Sequence, residues 1–219
     1  MTNDKLTFRD MTSDDLPAIS GLVEETWDWK YLFERQESLD ATVGMYLNTA
    51  LHVSSFIKVA MLNHKPVGVI MGYVEGDEPK GRLIMDDSAA YALRLLSTTE
   101  NDRCAAYEYI SKTNEAYATL LKSAGISYDA NLVFLALSKK ARGLNIGKKL
   151  WLELLEYFKQ KNVHSVYLFS DTECNFGFYD HMGFTRRAEL EVAFSFGGEP
   201  EDFEQTIFLY DFRVLKGAK

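Results

Sequence analysis

Residues 139–149 read Lys-Lys-Ala-Arg-Gly-Leu-Asn-Ile-Gly-Lys-Lys, with five basic side chains and no acidic one. The chain as a whole is acidic, with 24 Lys and Arg against 32 Asp and Glu and a net charge of −8. This stretch therefore reverses the local charge, and it stands between an apolar strand and the start of a helix. The first turn of a helix leaves N–H groups without intrahelical acceptors, and the helix dipole favours an anion there. Gly143 and Gly147 would let main chain approach a phosphate closely, and Asn145 tolerates left-handed backbone. Together these features suit a diphosphate cradle, although a merely solvated basic turn would have the same composition. Two nucleotide motifs do not fit. Three residues separate Gly143 from Gly147 where a P-loop needs four, and Lys149 stands where a magnesium-holding Ser or Thr would be. The dinucleotide pattern G-x-G-x-x-G is absent.

The elements that must position this turn follow from periodicity. Leu6–Asp10 alternates as a short strand, and Thr12-Ser13-Asp14-Asp15 starts a helix that runs to about Thr26. A second helix is expected over Ser38–Leu51, then a hairpin of Phe56–Leu62 and Pro66–Val74 around Asn63-His64-Lys65. Residues 77–130 form a helical excursion, with helices over Leu83–Leu96 and Cys104–Ala124 joined by the polar Ser97–Asp102. Leu132–Leu137 is apolar on both faces, as a central strand should be. Ile146, Leu150, Leu154, Leu155 and Phe158 draw one face of a helix that ends near Asn162, and Val166–Phe169 is the next strand. Strand, helix and strand in that order make a right-handed parallel crossover. Cys174–Met182 reads as a short helix stopped by Gly183, with strands Phe184–Phe196 and Thr206–Val214 to finish. Hairpins mixed with a crossover predict an α/β fold with a mixed sheet flanked by helices.

The 219 residues are 47% apolar and 26% charged, enough for one core, so a single domain over 1–219 is expected with 77–130 as an insertion. The acidic balance argues against nucleic acid as a partner. The longest apolar run, Val67–Val74, contains Gly68 and Gly72 and is too short for a membrane helix, and the N-terminal MTNDKLTFRD lacks the apolar core of a signal peptide. A cytoplasmic location is expected. Cys104 and Cys174 make no disulfide framework, and His52, His64, His164 and His181 have no metal-ligand spacing, so no metal is expected.

Arg142-Gly143-Leu144-Asn145-Ile146-Gly147 between a strand and an amphipathic helix resembles the acyl-CoA signature [Q/R]-x-x-G-x-[G/A] of the GCN5-related N-acetyltransferase (GNAT) superfamily. Downstream, Asn175-Phe-Gly-Phe178-Tyr179-Asp-His-Met-Gly183-Phe184 resembles that family's second motif. The resemblance is specific over 131–187 and agrees in element order over 5–75, but it does not cover 77–130. It implies a centrally splayed sheet and acetyl-CoA as co-substrate. The strand ending at Leu137 would part from its parallel neighbour, and amides from Arg142 through Gly143, Leu144, Asn145, Ile146 and Gly147 to Lys148 would hold the pyrophosphate. A backbone N–H near Leu135 or Leu137 would polarise the thioester carbonyl. Asn175, with Phe178 beside it, would meet the pantetheine, and Tyr179 would protonate the leaving thiolate. A phenol suits that task because at a pKa of ~10 it is protonated at neutral pH. The alternative for Tyr179 is a buried aromatic with a satisfied hydroxyl.

Two positions depart from the family pattern. Asn145 stands where Gly is usual, and Asn131 stands where some members carry a glutamate base. Asp129 could act through a water; Glu108, Asp171 and Glu173 are further candidate bases. Trp27, Asp28, Trp29 and Tyr31 fall where the family shapes its acceptor site, unless they anchor a packed loop. Seven acids and no Lys or Arg lie between Glu189 and Asp211 (189, 191, 199, 201, 202, 204 and 211), which with Asp28 favours a cationic acceptor or else forms a solvated face. The resemblance thus implies direct acetyl transfer to a primary amine of a small molecule or peptide, in a monomer or homodimer. A non-catalytic acyl-CoA sensor and an oligomeric scaffold built on the excursion are the rival readings.

Overall fold

The computed structural model describes residues 5–27, 29–85, 87–196 and 203–214. Its elements run β1 (Leu6–Asp10), α1 (Leu16–Thr26), α2 (Gln36–Val53), β2 (Phe56–Leu62), β3 (Lys65–Val74), α3 (Ser88–Leu96), α4 (Glu100–Ala124), β4 (Ala130–Leu137), α5 (Ile146–Gln160), β5 (Ser165–Asp171), α6 (Gly177–His181), β6 (Thr185–Phe194) and β7 (Phe203–Arg213). The seven strands form one sheet in the order β1-β2-β3-β4-β5-β7-β6. Every neighbouring pair is antiparallel except β4–β5. This is the mixed sheet that the order of elements predicts. Boundaries move at polar joints: α4 begins at Glu100 rather than Cys104, because the Thr99 hydroxyl accepts the Asp102 N–H and caps the first turn. The short helix α6 begins at Gly177, three residues later than expected.

Helices cover both faces. On one, Ile19, Leu22 and Val23 of α1 and Leu39, Val43, Leu47 and Leu51 of α2 pack on Val59, Val69 and Met71 of the hairpin. On the other, Ile146, Leu150, Leu154 and Phe158 of α5 pack on Ile70, Leu132, Val166 and Leu168. The helical insertion is the part with no counterpart in the motifs. Its α4 crosses the first face and buries Ala116 and Leu120 against Ile207 and Leu209 of β7. Asp102 near its start is buried and accepts from the Ser38 hydroxyl at 2.5 Å and the Glu34 N–H at 2.8 Å, which ties α4 to α2.

Strands β4 and β5 pair at two positions only, Ala130 with Val166 and Asn131 with Tyr167, although both run on for several residues. Asp129 clamps the closed end. Its carboxylate accepts the N–H groups of His164 at 2.7 Å and Ser165 at 2.9 Å and the Ser165 hydroxyl at 3.2 Å. Just past the closed end, β4 bulges. Met71 faces Phe134 while Gly72 faces Leu132, so Val133 is an extra residue. The bulge changes which side chains face which core. Leu132 packs under α5, but Phe134 and Ala136 turn to the α1–α2 side and Leu135 and Leu137 to the α5 side. The strand's apolarity on both faces is thus a consequence of both burial and this switch.

Burial would raise the Asp129 pKa, but the His164 and Ser165 donors outweigh it and hold the carboxyl below its ordinary value. A depressed folded-state pKa stabilises above the unfolded value of ~3.9, and that stability is lost as pH falls through the folded value. Replacing Asp129 with Ala should cost about 1–3 kcal/mol at pH 7. The difference between Asp129→Ala and the parent, read by urea unfolding, should shrink as the pH is taken below about 4.

Candidate active site

The basic turn leaves β4 at Ser138, whose N–H donates back to the Val67 carbonyl of β3 at 2.9 Å. A single 3-10 turn over Lys139–Ala141 follows, then extended Arg142, then Gly143 at φ +81° and Asn145 at φ +57°. The two left-handed residues turn the chain into α5. Nothing lies within 4 Å of where a Gly143 Cβ would be, so glycine is needed there for backbone freedom alone. Gly147 has a different reason. Its Cβ would stand 2.9 Å from Leu137 Cδ1 and 3.3 Å from Phe178 Cε2, so glycine lets α5 lie close against β4 and α6. The first amide of the helix with a backbone acceptor is that of Lys149, which donates to the Asn145 carbonyl at 3.1 Å. Among the described residues, the N–H groups of Gly143 to Lys148 meet no protein acceptor. The side chains of Lys139, Lys140, Arg142, Lys148 and Lys149 are exposed around them. The arrangement is a basic turn whose main-chain donors are not used by the protein and could hold an anion.

The second feature is the gap between β4 and β5. Hydrogen bonds alternate from side to side along a strand. The Ser138 N–H faces β3, so those of Leu135 and Leu137 face the gap. A cavity of about 470 Å³ occupies the gap and is lined from both faces of the sheet. Arg142, Asn175, Phe178 and Tyr179 line it from the α5–α6 side, and Trp27, Trp29 and Tyr46 from α1, the following turn and α2. From α4, Tyr109, Thr113 and Tyr117 enter at four-residue spacing, one face of the helix. Asp171, at the end of β5, is buried in the lining. Its Oδ2 accepts the Trp27 indole N–H at 3.1 Å, and its Oδ1 accepts the Glu173 and Cys174 N–H groups at 2.9 and 3.0 Å.

The Acetyltransferase (GNAT) family profile matches residues 19–184. The chain belongs to that family. It is an N-acetyltransferase by that membership, and the bounds of the match enclose the helical segment 77–130. Several solved structures share the fold. An N-acetyltransferase from Staphylococcus aureus Mu50 is 13% identical with a TM-score of 0.53, covering 96% of this chain and 99% of that one. The ribosomal-protein-S18-alanine N-acetyltransferase of Escherichia coli is 9% identical with a TM-score of 0.53, covering 98% and 97%. The Salmonella typhimurium protein yncA, solved with its cofactor acetyl-CoA, is 12% identical with a TM-score of 0.52, covering 98% and 96%. Comparison with curated proteins gives no match.

The geometry sorts the residues that the motifs of this acetyltransferase single out. Leu135, Leu137, Arg142, Asn175, Phe178, Tyr179 and Asn131 all line the cavity, as do Trp27 and Trp29. Tyr31 does not. It is 55% exposed and its ring lies against Phe203 instead. Asp28 lies outside the described residues. Asp129 is a correction: it is not in the lining, and its carboxylate is spent on the β4–β5 clamp. Glu108 on α4, another candidate base, pairs with Lys112 at 2.7 Å and accepts the Ser195 N–H at 2.8 Å, also away from the lining. The acidic run fares no better. Asp211 is bonded to Arg187 at 2.6 Å, Glu189, Glu191 and Glu204 are exposed, and 199, 201 and 202 lie outside the described residues. Asp171 alone among the candidate bases reaches the cavity. Tyr46, Tyr109, Thr113 and Tyr117 were not legible as site residues, because helical spacing says which face is buried and not what it is buried against.

Burial, and after it the neighbouring Cys174 and Asp171, holds the Tyr179 phenol well above its ordinary value. Burial first and then Asp171 does the same to the Cys174 thiol, which leaves it a poor nucleophile. Among the described residues no group of side chains could hold a metal ion, and no helix is long and apolar enough to cross a membrane.

Placing Ala at Gly143 forces an L-residue into the left-handed region without a steric clash, so Gly143→Ala should cost about 1–2 kcal/mol. That is a fall of about 2–8 °C in Tm by calorimetry for a chain of this size. Arg142→Ala, at an exposed position, should leave Tm within about 1–2 °C.

Proposed function

We propose that this enzyme transfers an acetyl group from acetyl-CoA directly to a primary amine of a small molecule or peptide, in a ternary complex without a covalent enzyme intermediate. One observation carries the reading: six consecutive amides with no protein acceptor, Gly143 to Lys148, stand beside a gap edged by the free N–H groups of Leu135 and Leu137. A diphosphate joined to an extended arm bearing amides and a thioester matches that sequence of donors. The amides of Gly143, Leu144, Asn145, Ile146, Gly147 and Lys148, with the Arg142 guanidinium, would hold the diphosphate. Leu135, Leu137 and Asn175 would pair with the arm, and Phe178 would pack against it. The yncA structure with acetyl-CoA, on the same fold, supports this choice of co-substrate.

The thioester supplies an acetyl group whose carbonyl carbon is open to attack. The Leu135 or Leu137 N–H would stabilise charge that develops on its oxygen. Tyr179 stays protonated across the working range, because its pKa lies above the ordinary phenol value. Full transfer from such a phenol to a thiolate of pKa near ~8.5 is uphill. Tyr179 would therefore give its proton to sulfur as the amine nitrogen releases one, and not through a free phenolate. Asn131 cannot accept a proton and would position groups in the gap. Trp27 and Trp29 would face the acceptor. Most of the acceleration would come from holding amine and thioester together, which needs no strong base on the protein.

Tyr179→Phe should lower kcat about 10²-fold or more, read by thiol release, while calorimetry gives a CoA Kd within about twofold of the parent. Loss of CoA binding by the parent chain at millimolar ligand would overturn the assignment. The pH profile of kcat/KM should rise as the amine loses its proton. It should not turn down below about pH 10, since the raised pKa keeps Tyr179 protonated there.

A further inference from the structure

Asp171 is 7% exposed and sits among aromatic rings at the acceptor side of the cavity. No cationic side chain among the described residues pairs with it; its partners are the Trp27 indole N–H, the Glu173 and Cys174 main-chain N–H groups and the Cys174 thiol. A buried carboxylate without a cation is costly unless something else brings the charge. Among the described residues, the only other formally charged side chain in the lining is Arg142, which belongs to the basic turn. Next to Asp171 in sequence, Ser170 is 6% exposed, lines the same cavity, and its hydroxyl has no hydrogen-bond partner. The Thr113 hydroxyl of α4, also in the lining, has none either. Asn131 Oδ1 in the lining lacks a partner as well, and the charge of Asp171 calls for a ligand that carries a cation.

The walls say what the rest of that ligand is. Trp27 and Tyr46 lie with ring centroids 5.3 Å apart, and Tyr117 stacks on Phe169 at 3.9 Å. Ring faces attract a cation and stack on a flat apolar body. From this we infer that the acceptor is a compact arylalkyl monoamine, with its ammonium on Asp171 and its ring among Trp27, Tyr46 and Tyr117. The inference rests on the acetyl-transfer reading and narrows its acceptor. A polyamine would bring a second cation, and among the described lining residues there is no second carboxylate to meet it. A long peptide would compete for a 470 Å³ space that must also admit the end of the acetyl donor. In the reaction the amine nitrogen forms a bond to the acetyl carbon as the carbon–sulfur bond breaks. The ammonium loses two protons, of which one ends on the CoA sulfur and the other in solvent.

The test compares kcat/KM for 2-phenylethylamine, spermidine and a peptide with an N-terminal alanine, with acetyl-CoA saturating. The expected result is a preference for 2-phenylethylamine of tenfold or more over each of the others. Asp171→Asn keeps an oxygen for the Glu173 and Cys174 N–H groups and removes the charge. It should lower kcat/KM for 2-phenylethylamine by fifty-fold or more, mainly through KM, with the acetyl-CoA Kd unchanged by calorimetry. The neutral 2-phenylethanol should inhibit the parent and Asp171→Asn equally. If Asp171→Asn does not fold, Tyr46→Leu should raise KM for 2-phenylethylamine about tenfold while sparing acetyl-CoA binding. A preference for spermidine or the peptide, or full activity in Asp171→Asn, overturns the inference and leaves the acetyl-transfer reading standing. Failure of the parent to bind acetyl-CoA overturns both.

Discussion

Two parallel strands that touch at two residues and then part are the constraint from which the rest of this molecule follows. A parallel pair would normally continue its ladder to the strand ends. Here the Asp129 carboxylate pins one end to the amides of His164 and Ser165, and the bulge at Val133 turns β4 out of register immediately beyond. The consequence is a hole through an otherwise continuous sheet, edged by main-chain donors that the protein does not satisfy. Such groups are expensive to bury without a partner. They persist because the hole stays accessible to a ligand that can use them.

A hole in a sheet also exposes its core, and the helices are arranged to line it without filling it. The α5–α6 side brings Tyr179 and Phe178 to one mouth, and Gly147 lets α5 approach closely enough to do so. On the other side, α4 lies across β6 and β7 with Tyr109, Thr113 and Tyr117 turned into the cavity. The tie from Asp102 to Ser38 sets α4 against α2. The helical insertion is therefore a wall of the cavity.

Charge is distributed with the same economy. The chain carries a net charge of −8, yet five of its cations crowd the turn between β4 and α5. Inside the cavity the order is reversed: among the described lining residues Asp171 is the single carboxylate, set among rings. Burial and the charge of Asp171 keep the phenols of Tyr109, Tyr117 and Tyr179 protonated.

Much of this was legible in the linear order of residues. The hairpin, the crossover from β4 through α5 to β5 and the positive turn follow from local patterns, because they depend on period, turn chemistry and composition within a few residues. Arg142, Gly143, Asn175 and Tyr179 could be singled out in the sequence for the same reason: their spacing along the chain carries the resemblance to the family's motifs. What could not be read was any choice among chemically equal residues far apart in the chain. Asp129, Glu108 and Asp171 are all carboxylates near element ends. Only packing made the first a clamp, the second a partner of Lys112 and the third a wall of the cavity. The acidic run from 189 to 211 looked like a cation site, yet its described acids are exposed or bonded to arginine. The face that α4 offers was visible as a period, but its opposite wall is set by contacts that close over many tens of residues. Local chemistry is written in neighbours, whereas the company that a side chain keeps is settled by the burial of distant elements against one another.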